Sequence, residues 1–213
     1  DSVVRSQREM EQSADFVSHA FQKLEDSQGV TEQILLNLLD LKLKGQRAYA
    51  EEVASFAKQF SKVLGFNEND AKTLELAARL HGIGKIGVPD DVLSQTLDGL
   101  SRDDFELYCQ YPANSACTLM AYQSFQDVAQ VVFEQKEYID GTGFPNALKG
   151  DEISFLGKCL ALLLDYAELR FGISTGTLLA HEQVMSVMQE NLSRYDASFL
   201  INKFKIFQVL VIV

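Results

Sequence analysis

Two blocks rich in glycine and proline constrain this chain more than any other feature. The first reads HGIGKIGVPD from His81 to Asp90, and the second reads YIDGTGFPNALKGDEI from Tyr138 to Ile153. The first block follows an apolar helical run and crowds three glycines and a proline into the next loop. Such crowding is typical of backbone that must approach a site closely. Together the two blocks predict a scaffold that forms a site.

Apolar spacing around the blocks predicts helices joined by short connections, with no strand pattern between them. We expect Thr31 to cap a helix that ends near Leu43, and Gly65 to end a helix that begins near Arg47. The remaining expected features are a start at Asn69 or Asp70, a capping box at Ser101, an apolar central helix over 155–171, and a helix over 177–192 with Leu178, Val184, Met185 and Met188 inward. The pattern therefore predicts an all-α helical bundle.

Residues 1–28 are predicted to form an N-terminal connector helix that precedes a helical domain over 29–213. Val3, Met10, Val17 and Leu24 recur every seven residues in the connector, as in a short coiled-coil seam. Such a seam pairs with a second copy to give a homodimer, or packs on its own domain, and the sequence leaves both open. The apolar tail, 207–213, is interpreted as a short extended segment or strand.

Charge and cysteine content exclude several classes of protein. A net charge of −11 and a pI near 4.7 argue against binding to a nucleic-acid polymer, which needs a basic surface. The sequence contains neither an apolar run of membrane-spanning length nor a signal-peptide pattern at its start. Three cysteines without a framework spacing fit reduced thiols. We therefore predict a cytoplasmic protein that does not contact the membrane.

The two blocks resemble the HD-GYP branch of the HD-domain metal-dependent phosphohydrolases, bacterial proteins that as a family hydrolyse cyclic di-GMP. That family carries His-Asp, Ile/Val-Gly-Lys and a glycine-proline turn in its first block, and His-His-Glu followed by Asp-Gly-x-Gly-Tyr-Pro in its second. The matching residues here are His81, Gly84, Lys85, Gly87, Pro89, Glu137, Asp140, Gly141, Gly143 and Pro145, with Phe144 in place of the tyrosine. The resemblance spans roughly residues 35–195 and implies a helical bundle of the HD-GYP type.

At the family's metal-ligand positions this sequence carries different residues. The resemblance places these positions at Tyr49, His81, Gly82, Tyr111, Gln135, Lys136 and Leu164, with Asp165 in place of Leu164 if the register slips by one residue. A dinuclear centre needs imidazoles and carboxylates to hold two cations and to lower the pKa of a bridging water. We therefore expect no metal cofactor, a structural His81, and tyrosine rings filling the cavity.

Lysines and one aromatic turn are the remaining candidates for binding. Lys85, Lys136 and Lys149 are candidate contacts for nucleotide phosphates, and His81 with Lys85 is what remains of the catalytic motif. We expect Lys136 to be a solvated charge or to pair with Glu134 or Asp140, and Lys85 to bond carbonyl groups of its loop. The family's phosphate-gripping basic pair falls on Ile173 and Gly176.

The turn formed by Gly143, Phe144 and Pro145 is the candidate for binding a protein partner. The resemblance links this loop to contacts with partner signalling domains, and an exposed aromatic on a rigid turn can anchor a partner. The alternative is that Phe144 is tucked against the bundle.

Three functions follow from these observations. The first is a non-catalytic regulatory or interaction domain in bacterial signal transduction, with a diguanylate-cyclase (GGDEF) domain, an upstream signalling domain or a second copy as partner. The second is a cyclic di-GMP phosphodiesterase that holds iron or manganese through unusual ligands such as Asp165, Glu134, Glu137 or Asp140. The third is a metal-free nucleotide receptor.

Overall fold

The computed structural model describes residue 23 and residues 27–173 and 176–196. The connector predicted for residues 1–28 lies almost wholly outside this part of the chain. The apolar tail over 207–213 lies outside it as well. The two glycine-proline blocks and every candidate site residue fall within the described ranges.

Helices make up the described chain, joined by short connections. The α-helices are α1 (27–42), α2 (Gln46–Leu64), α3 (Glu68–Leu80), α4 (Asp90–Leu93), α5 (Arg102–Tyr108), α6 (Tyr111–Met120), α7 (Gln126–Phe133), α8 (Phe155–Arg170) and α9 (His181–Glu190). Turns of 3₁₀-helix cover Ile83–Gly87, Leu97–Gly99, Gln123–Phe125, Gly150–Glu152 and Leu192–Arg194. Within the described ranges the β-pairing is limited to one isolated bridge, between Asp140 and Lys149. The predicted all-α fold is confirmed.

Local signals fix most of the helix ends. Gly65 adopts a left-handed backbone with φ of 69° after α2, as its position predicted. Ser101 Oγ accepts a hydrogen bond from Asp104 N over 3.2 Å at the start of α5. The start of α3 differs from the prediction, because Asn67 rather than Asn69 or Asp70 is the cap. Its Oδ1 accepts from Asp70 N over 2.9 Å, so Asp70 lies in the first turn.

Two further predictions from the sequence are wrong. Thr31 does not begin a helix, because α1 is already helical at residue 27 and runs through Gly29, and the Thr31 hydroxyl donates to Ser27 O over 2.9 Å. Leu178 does not face inward. It is 70% exposed, because α9 begins later than expected, at His181, and Leu178 lies in the preceding loop.

The core lies around α8, which packs against α2, α3, α7 and α9. Leu160, Leu162, Leu163 and Leu164 of α8 are all buried, which confirms its predicted place at the bundle centre. Such helices bury apolar side chains around most of their circumference. None of the described helices combines the length and the hydrophobicity that a bilayer crossing requires.

Candidate functional site

The first glycine block forms a tight turn that packs against the start of α6. A Cβ at Gly84 would lie 2.1 Å from Tyr111 O, so a larger residue has no space there. Gly84 N donates to Ser115 Oγ over 2.8 Å, and Ser115 Oγ donates to His81 O over 3.0 Å. The block therefore joins the end of α3 to α6 and fixes the position of His81.

The second block is held by the carboxylate of Glu137. Its Oε1 accepts from Asn146 N over 2.6 Å, and its Oε2 accepts from Leu148 N over 2.9 Å. A Cβ at Gly143 would lie 2.4 Å from Lys136 O, so the loop passes directly over the chain that follows α7. The Phe144-Pro145 peptide bond is cis. Glu137 thus shapes the loop instead of facing the bundle interior.

A buried ion cluster lies beneath this loop. Lys136 Nζ donates to Asp165 Oδ1 over 3.0 Å and to Glu168 Oε2 over 2.8 Å, and all three side chains are buried. Asp165 and Glu168 are three residues apart on α8, so both carboxylates project from one face of that helix. The cluster places one ammonium between two carboxylates.

Two tyrosines complete the hydrogen bonding of Asp165. Tyr138 OH donates to Asp165 Oδ1 over 3.0 Å, and Tyr195 OH donates to Asp165 Oδ2 over 2.8 Å. Burial and the neighbouring Asp165 charge raise the pKa of both phenols, which keeps them protonated as donors. Asp165 therefore receives three hydrogen bonds, from one ammonium and two hydroxyls.

The two buried lysines of the site are in opposite electrostatic situations. Burial alone lowers the pKa of Lys136, but the charges of Glu168 and Asp165 outweigh it and hold that pKa well above its usual value. Burial lowers the pKa of Lys85, which Glu168 opposes in part. Lys85 Nζ lies 5.0 Å from the centroid of the Tyr111 ring, a cation–π distance. Lys136 is thus fixed as a cation.

Aromatic rings and His81 fill the space beside the cluster. The Tyr49 and His81 rings meet edge to face at 5.6 Å, and Tyr111 is fully buried. His81 Nδ1 bonds Ala78 O at 2.7 Å, while Gln135 Nε2 donates to His81 O over 3.0 Å. Burial lowers the pKa of His81 to about 3, with a smaller contribution from Lys85, so the imidazole is neutral.

Several buried polar atoms in this region have no partner within the described residues. They are Gln46 Oε1, Tyr49 OH, His81 Nε2, Tyr111 OH and Gln135 Oε1. Burying a polar atom without a partner is costly, so such atoms are uncommon in folded proteins. The rings of Tyr49 and His81 pack against each other here, while Tyr49 OH and His81 Nε2 lack a partner among the described residues.

Two cavities open beside the ion cluster. The larger, about 180 Å³, is lined by Lys136, Asp165, Glu168, Phe144 and Arg194, among others. The smaller, about 100 Å³, is lined by Lys85, Gln46, Tyr108 and Ile173 together with Glu168. Glu168 therefore lies between the two spaces.

The structure shows where several residues lie for which the sequence left alternatives open. Leu164 belongs to the core, and the next residue, Asp165, faces the site. Lys136 pairs with Asp165 and Glu168, so the predicted partners Glu134 and Asp140 are wrong. Glu134 instead accepts from Ser154 N over 3.0 Å, and Asp140 from Thr142 N over 3.0 Å.

The other lysines and the aromatic turn are placed as follows. Among the described residues, Lys85 has no hydrogen bond to a carbonyl, contrary to expectation, because its ammonium lies over the Tyr111 ring instead. Lys149 is exposed, packs along Gly141 and lines neither cavity. Phe144 is half buried and packs against Tyr108 and Tyr111, so its ring is shared between the bundle and the cavity.

Sequence reasoning missed Glu168, Tyr138 and Tyr195 as members of the site. A usable signal existed for Glu168, since it stands three residues after Asp165 in a helix that is otherwise apolar. Tyr195 lies 30 residues beyond Asp165, and no spacing rule links them.

The donor set around the cluster does not fit a pair of metal ions. Within the described ranges, no three His, Cys, Asp or Glu side chains are grouped to hold a metal ion. Metal centres of this class use imidazole and carboxylate donors. Here the carboxylates of Asp165 and Glu168 are bonded to an ammonium, and Tyr49 and Tyr111 stand at two of the expected ligand positions.

The protein is a helical bundle with α8 at its centre and with two glycine-rich segments, the HGIGK turn and the DGxGFP loop, at its candidate site. The family model described as "HD domain" matches residues 33–199. The chain belongs to the HD-domain family, so the predicted membership of the HD-domain superfamily is confirmed.

Curated relatives carry related descriptions. The cyclic di-GMP phosphodiesterase PA4108 of Pseudomonas aeruginosa is 33% identical over 127 residues, 58% of this chain and 30% of the relative. The cyclic di-GMP phosphodiesterase response regulator RpfG of Xanthomonas campestris is 27% identical over 142 residues, 66% of this chain and 37% of the relative. The 3'3'-cGAMP-specific phosphodiesterase 3 of Vibrio cholerae is 25% identical over 73% of this chain and 34% of the relative. The chain therefore spans about a third of the length of these relatives.

Two solved structures support the fold. Bd1817, an HDG"Y"P protein from Bdellovibrio bacteriovorus, superposes with a TM-score of 0.59 at 22% identity, over 78% of this chain and 51% of that one. The Listeria monocytogenes phosphodiesterase PgpH HD domain, in complex with cyclic-di-AMP, gives 0.56 at 14% identity, over 84% and 93%.

Proposed function

We propose that this chain is a non-catalytic HD-GYP-type domain that acts by protein contact in bacterial signal transduction. The observation that carries the proposal is the buried ammonium of Lys136 between Asp165 and Glu168. The resemblance places Lys136 at a metal-ligand position. A fixed positive charge there repels a second cation.

An ammonium does not supply the chemistry of a metal centre. Metal ions accelerate hydrolysis by lowering the pKa of a bound water and by neutralising developing charge on phosphoryl oxygens. Lys136 has an elevated pKa, so it does not accept a proton from water, and its ammonium donates to two carboxylates. The cluster stabilises the bundle without offering a nucleophile.

The other carboxylates that could serve as unusual ligands accept hydrogen bonds from backbone amides. Glu137 accepts from the amides of Asn146 and Leu148, Glu134 from Ser154, and Asp140 from Thr142. Each carboxylate shapes a loop or a helix start. This arrangement favours the non-catalytic proposal over an iron or manganese phosphodiesterase.

A nucleotide receptor has less support than a protein-contact domain. The cavity beside Lys136 is about 180 Å³, smaller than the roughly 300–1,000 Å³ typical of ligand pockets. Two carboxylates already neutralise Lys136, so it offers little to a phosphate. Lys149 does not line this cavity.

A GGDEF domain or an upstream signalling domain remains the proposed partner. The Phe144 side chain is partly exposed to solvent, and its ring centroid lies 6.3 Å from that of Phe105, which is exposed. Two adjacent aromatic side chains on one surface suit a protein contact, where aromatics are enriched. A cytoplasmic location is proposed with this role.

The test is hydrolysis of cyclic di-GMP and of 3',3'-cGAMP with added manganese or ferrous iron. A relative such as PA4108 serves as the active control under the same conditions. The expected result is product no higher than in protein-free samples. Turnover that disappears in Asp165→Asn would overturn the proposal, because it would show Asp165 serving a reaction.

A further inference from the structure

Helix α1 carries apolar side chains on two opposite faces. Leu36 and Leu39 are buried in the domain, and Leu35 packs against its core. On the opposite face, Val30, Ile34, Leu38 and Leu41 are 60%, 53%, 48% and 82% exposed. An apolar helix face is normally covered by another part of the protein or by a partner, and α1 has two such faces. The outer face of α1, defined as these four residues, is uncovered in the described chain.

The outer face has the spacing of a coiled-coil seam. Its members follow one another at intervals of four, four and three residues. The last three, Ile34, Leu38 and Leu41, have the alternating four-three spacing that keeps a stripe directed at a partner helix. Single exposed apolar residues are ordinary, but a continuous stripe marks an interaction surface.

The stripe is in phase with the repeat that precedes it in the sequence. Val3, Met10, Val17 and Leu24 are spaced by seven, and two further steps of seven from Leu24 reach Leu38. The intervening position is Thr31, which is half buried. The repeat thus covers six heptad positions and ends on the face of α1 that the domain leaves exposed. The repeat has one large apolar core position per heptad over residues 3–24, and both core positions become large and apolar only at Ile34, Leu38 and Leu41.

We infer that the outer face of α1 binds the same face of a second copy of this chain, in parallel and in register. A heptad has two core positions, and Leu38 and the repeat before it occupy one of them. The other core position is occupied by Ser6, Ser13, Ala20, Ser27, Ile34 and Leu41. The large side chains at this second position, Ile34 and Leu41, lie at the C-terminal end of the repeat. A parallel pair sets Ile34 and Leu41 against their own equivalents and keeps the whole seven-residue repeat in register. An antiparallel pair that joined the same two faces would direct the two repeats over 3–24 in opposite directions and leave them unpaired. A two-fold axis along the helices then makes the contact self-complementary.

This surface is separate from the ion cluster, and the inference does not depend on the proposed function. The alternative cover is the apolar segment over 207–213 of the same chain, which would leave the protein monomeric. A second copy gives a dimer and the segment over 207–213 gives a monomer, so the molecular mass in solution distinguishes the two.

The test is light scattering or sedimentation of the full chain, from about 1 µM to about 200 µM. We expect a dimer, and we expect Ile34→Glu with Leu38→Glu to raise its dissociation constant at least about 100-fold, since four apolar side chains per dimer become charged. Leu178→Glu, which alters an exposed leucine elsewhere, is the matched control and should stay dimeric. Far-UV circular dichroism checks that the variants keep their helix content.

A crosslink tests orientation without charging the face. Leu41→Cys in a Cys117→Ser background should form an intermolecular disulfide on mild oxidation, because equivalent residues meet in a parallel pair. A monomeric wild type, a dimer that survives the double glutamate variant, or a dimer without this crosslink would each overturn the inference as stated.

Discussion

Lys136 donates a hydrogen bond to Glu168 over 2.8 Å in the interior of the bundle, where both residues are more than nine-tenths buried. This contact, with the one to Asp165, ties the chain just before the second glycine block to α8. Burying a charge is costly unless it is paired and hydrogen-bonded. The pairing therefore accounts for how this bundle tolerates three charges in its interior.

Removing the ammonium should destabilise the fold strongly. Lys136→Met leaves Asp165 and Glu168 buried without their cation, and breaking a buried pair in this way costs about 3–5 kcal/mol. Urea unfolding measures the loss. Arg102→Met removes one side of an exposed ion pair with Glu106 and should leave the midpoint nearly unchanged.

Neutralising the whole cluster should restore much of that loss. Lys136→Met combined with Asp165→Asn and Glu168→Gln removes all three charges and keeps similar volumes. We expect the triple variant to be more stable than Lys136→Met alone. A triple variant as unstable as the single one would contradict the electrostatic account.

His81 should make stability depend on pH. Burial lowers its pKa from an ordinary 6.5 to about 3, so the unfolded chain binds a proton in this window and the folded chain does not. Stability is therefore lost as the pH falls from 6.5 towards 3. His81→Asn cannot titrate, and its amide can still donate to Ala78 O.

The measurement is the free energy of unfolding of the wild type and of His81→Asn, each at about pH 7 and about pH 5. The wild type should lose more stability than His81→Asn. His181, whose pKa burial also lowers, is present in both proteins and cancels. Parallel losses would show that the environment of His81 is not as described.

The two glycines of the first block should respond differently to alanine. Gly84→Ala places a methyl group about 2.1 Å from Tyr111 O, which forces the turn away from α6, whereas Gly87 has no atom within 4 Å of a Cβ. Overpacking typically costs about 1–3 kcal/mol. Thermal unfolding should show a lower midpoint for Gly84→Ala and little change for Gly87→Ala. Equal midpoints would argue against the close approach.

Glu137 should control the order of the second block. Glu137→Ala deletes the acceptor of the Asn146 and Leu148 amides and leaves both donors unsatisfied. Hydrogen exchange at these amides should quicken at least about 10-fold. Glu152→Ala, which removes the acceptor of Lys149 N at the edge of the same loop, should leave those two amides protected. Unchanged protection in Glu137→Ala would place the order of the loop elsewhere.

Local patterns predicted the helices well, because helix starts and ends depend on a few neighbouring residues. Gly65 and Ser101 behaved as their types and positions indicate. Asn67 was missed because three residues that can cap a helix, Asn67, Asn69 and Asp70, stand within four positions, and sequence does not say which one adopts the extended backbone of a cap.

The ion cluster could be predicted only in part. The family resemblance placed Lys136 in the site, but its partners lie 29 and 32 residues away, and no local rule pairs them. The choice between Leu164 and Asp165 depends on the rotation of α8, which tertiary packing sets. The outer face of α1 needed the structure as well, since the heptad repeat does not say which face the domain covers.

The most direct measurement of the central claim is elemental analysis of the full chain purified without chelator, beside Lys136→Met and His81→Ala. The ion cluster predicts far less than one metal ion per chain in the wild type, because Lys136 holds the cationic position. Near-stoichiometric iron or manganese in the wild type that is lost in His81→Ala would contradict the account and identify His81 as a ligand.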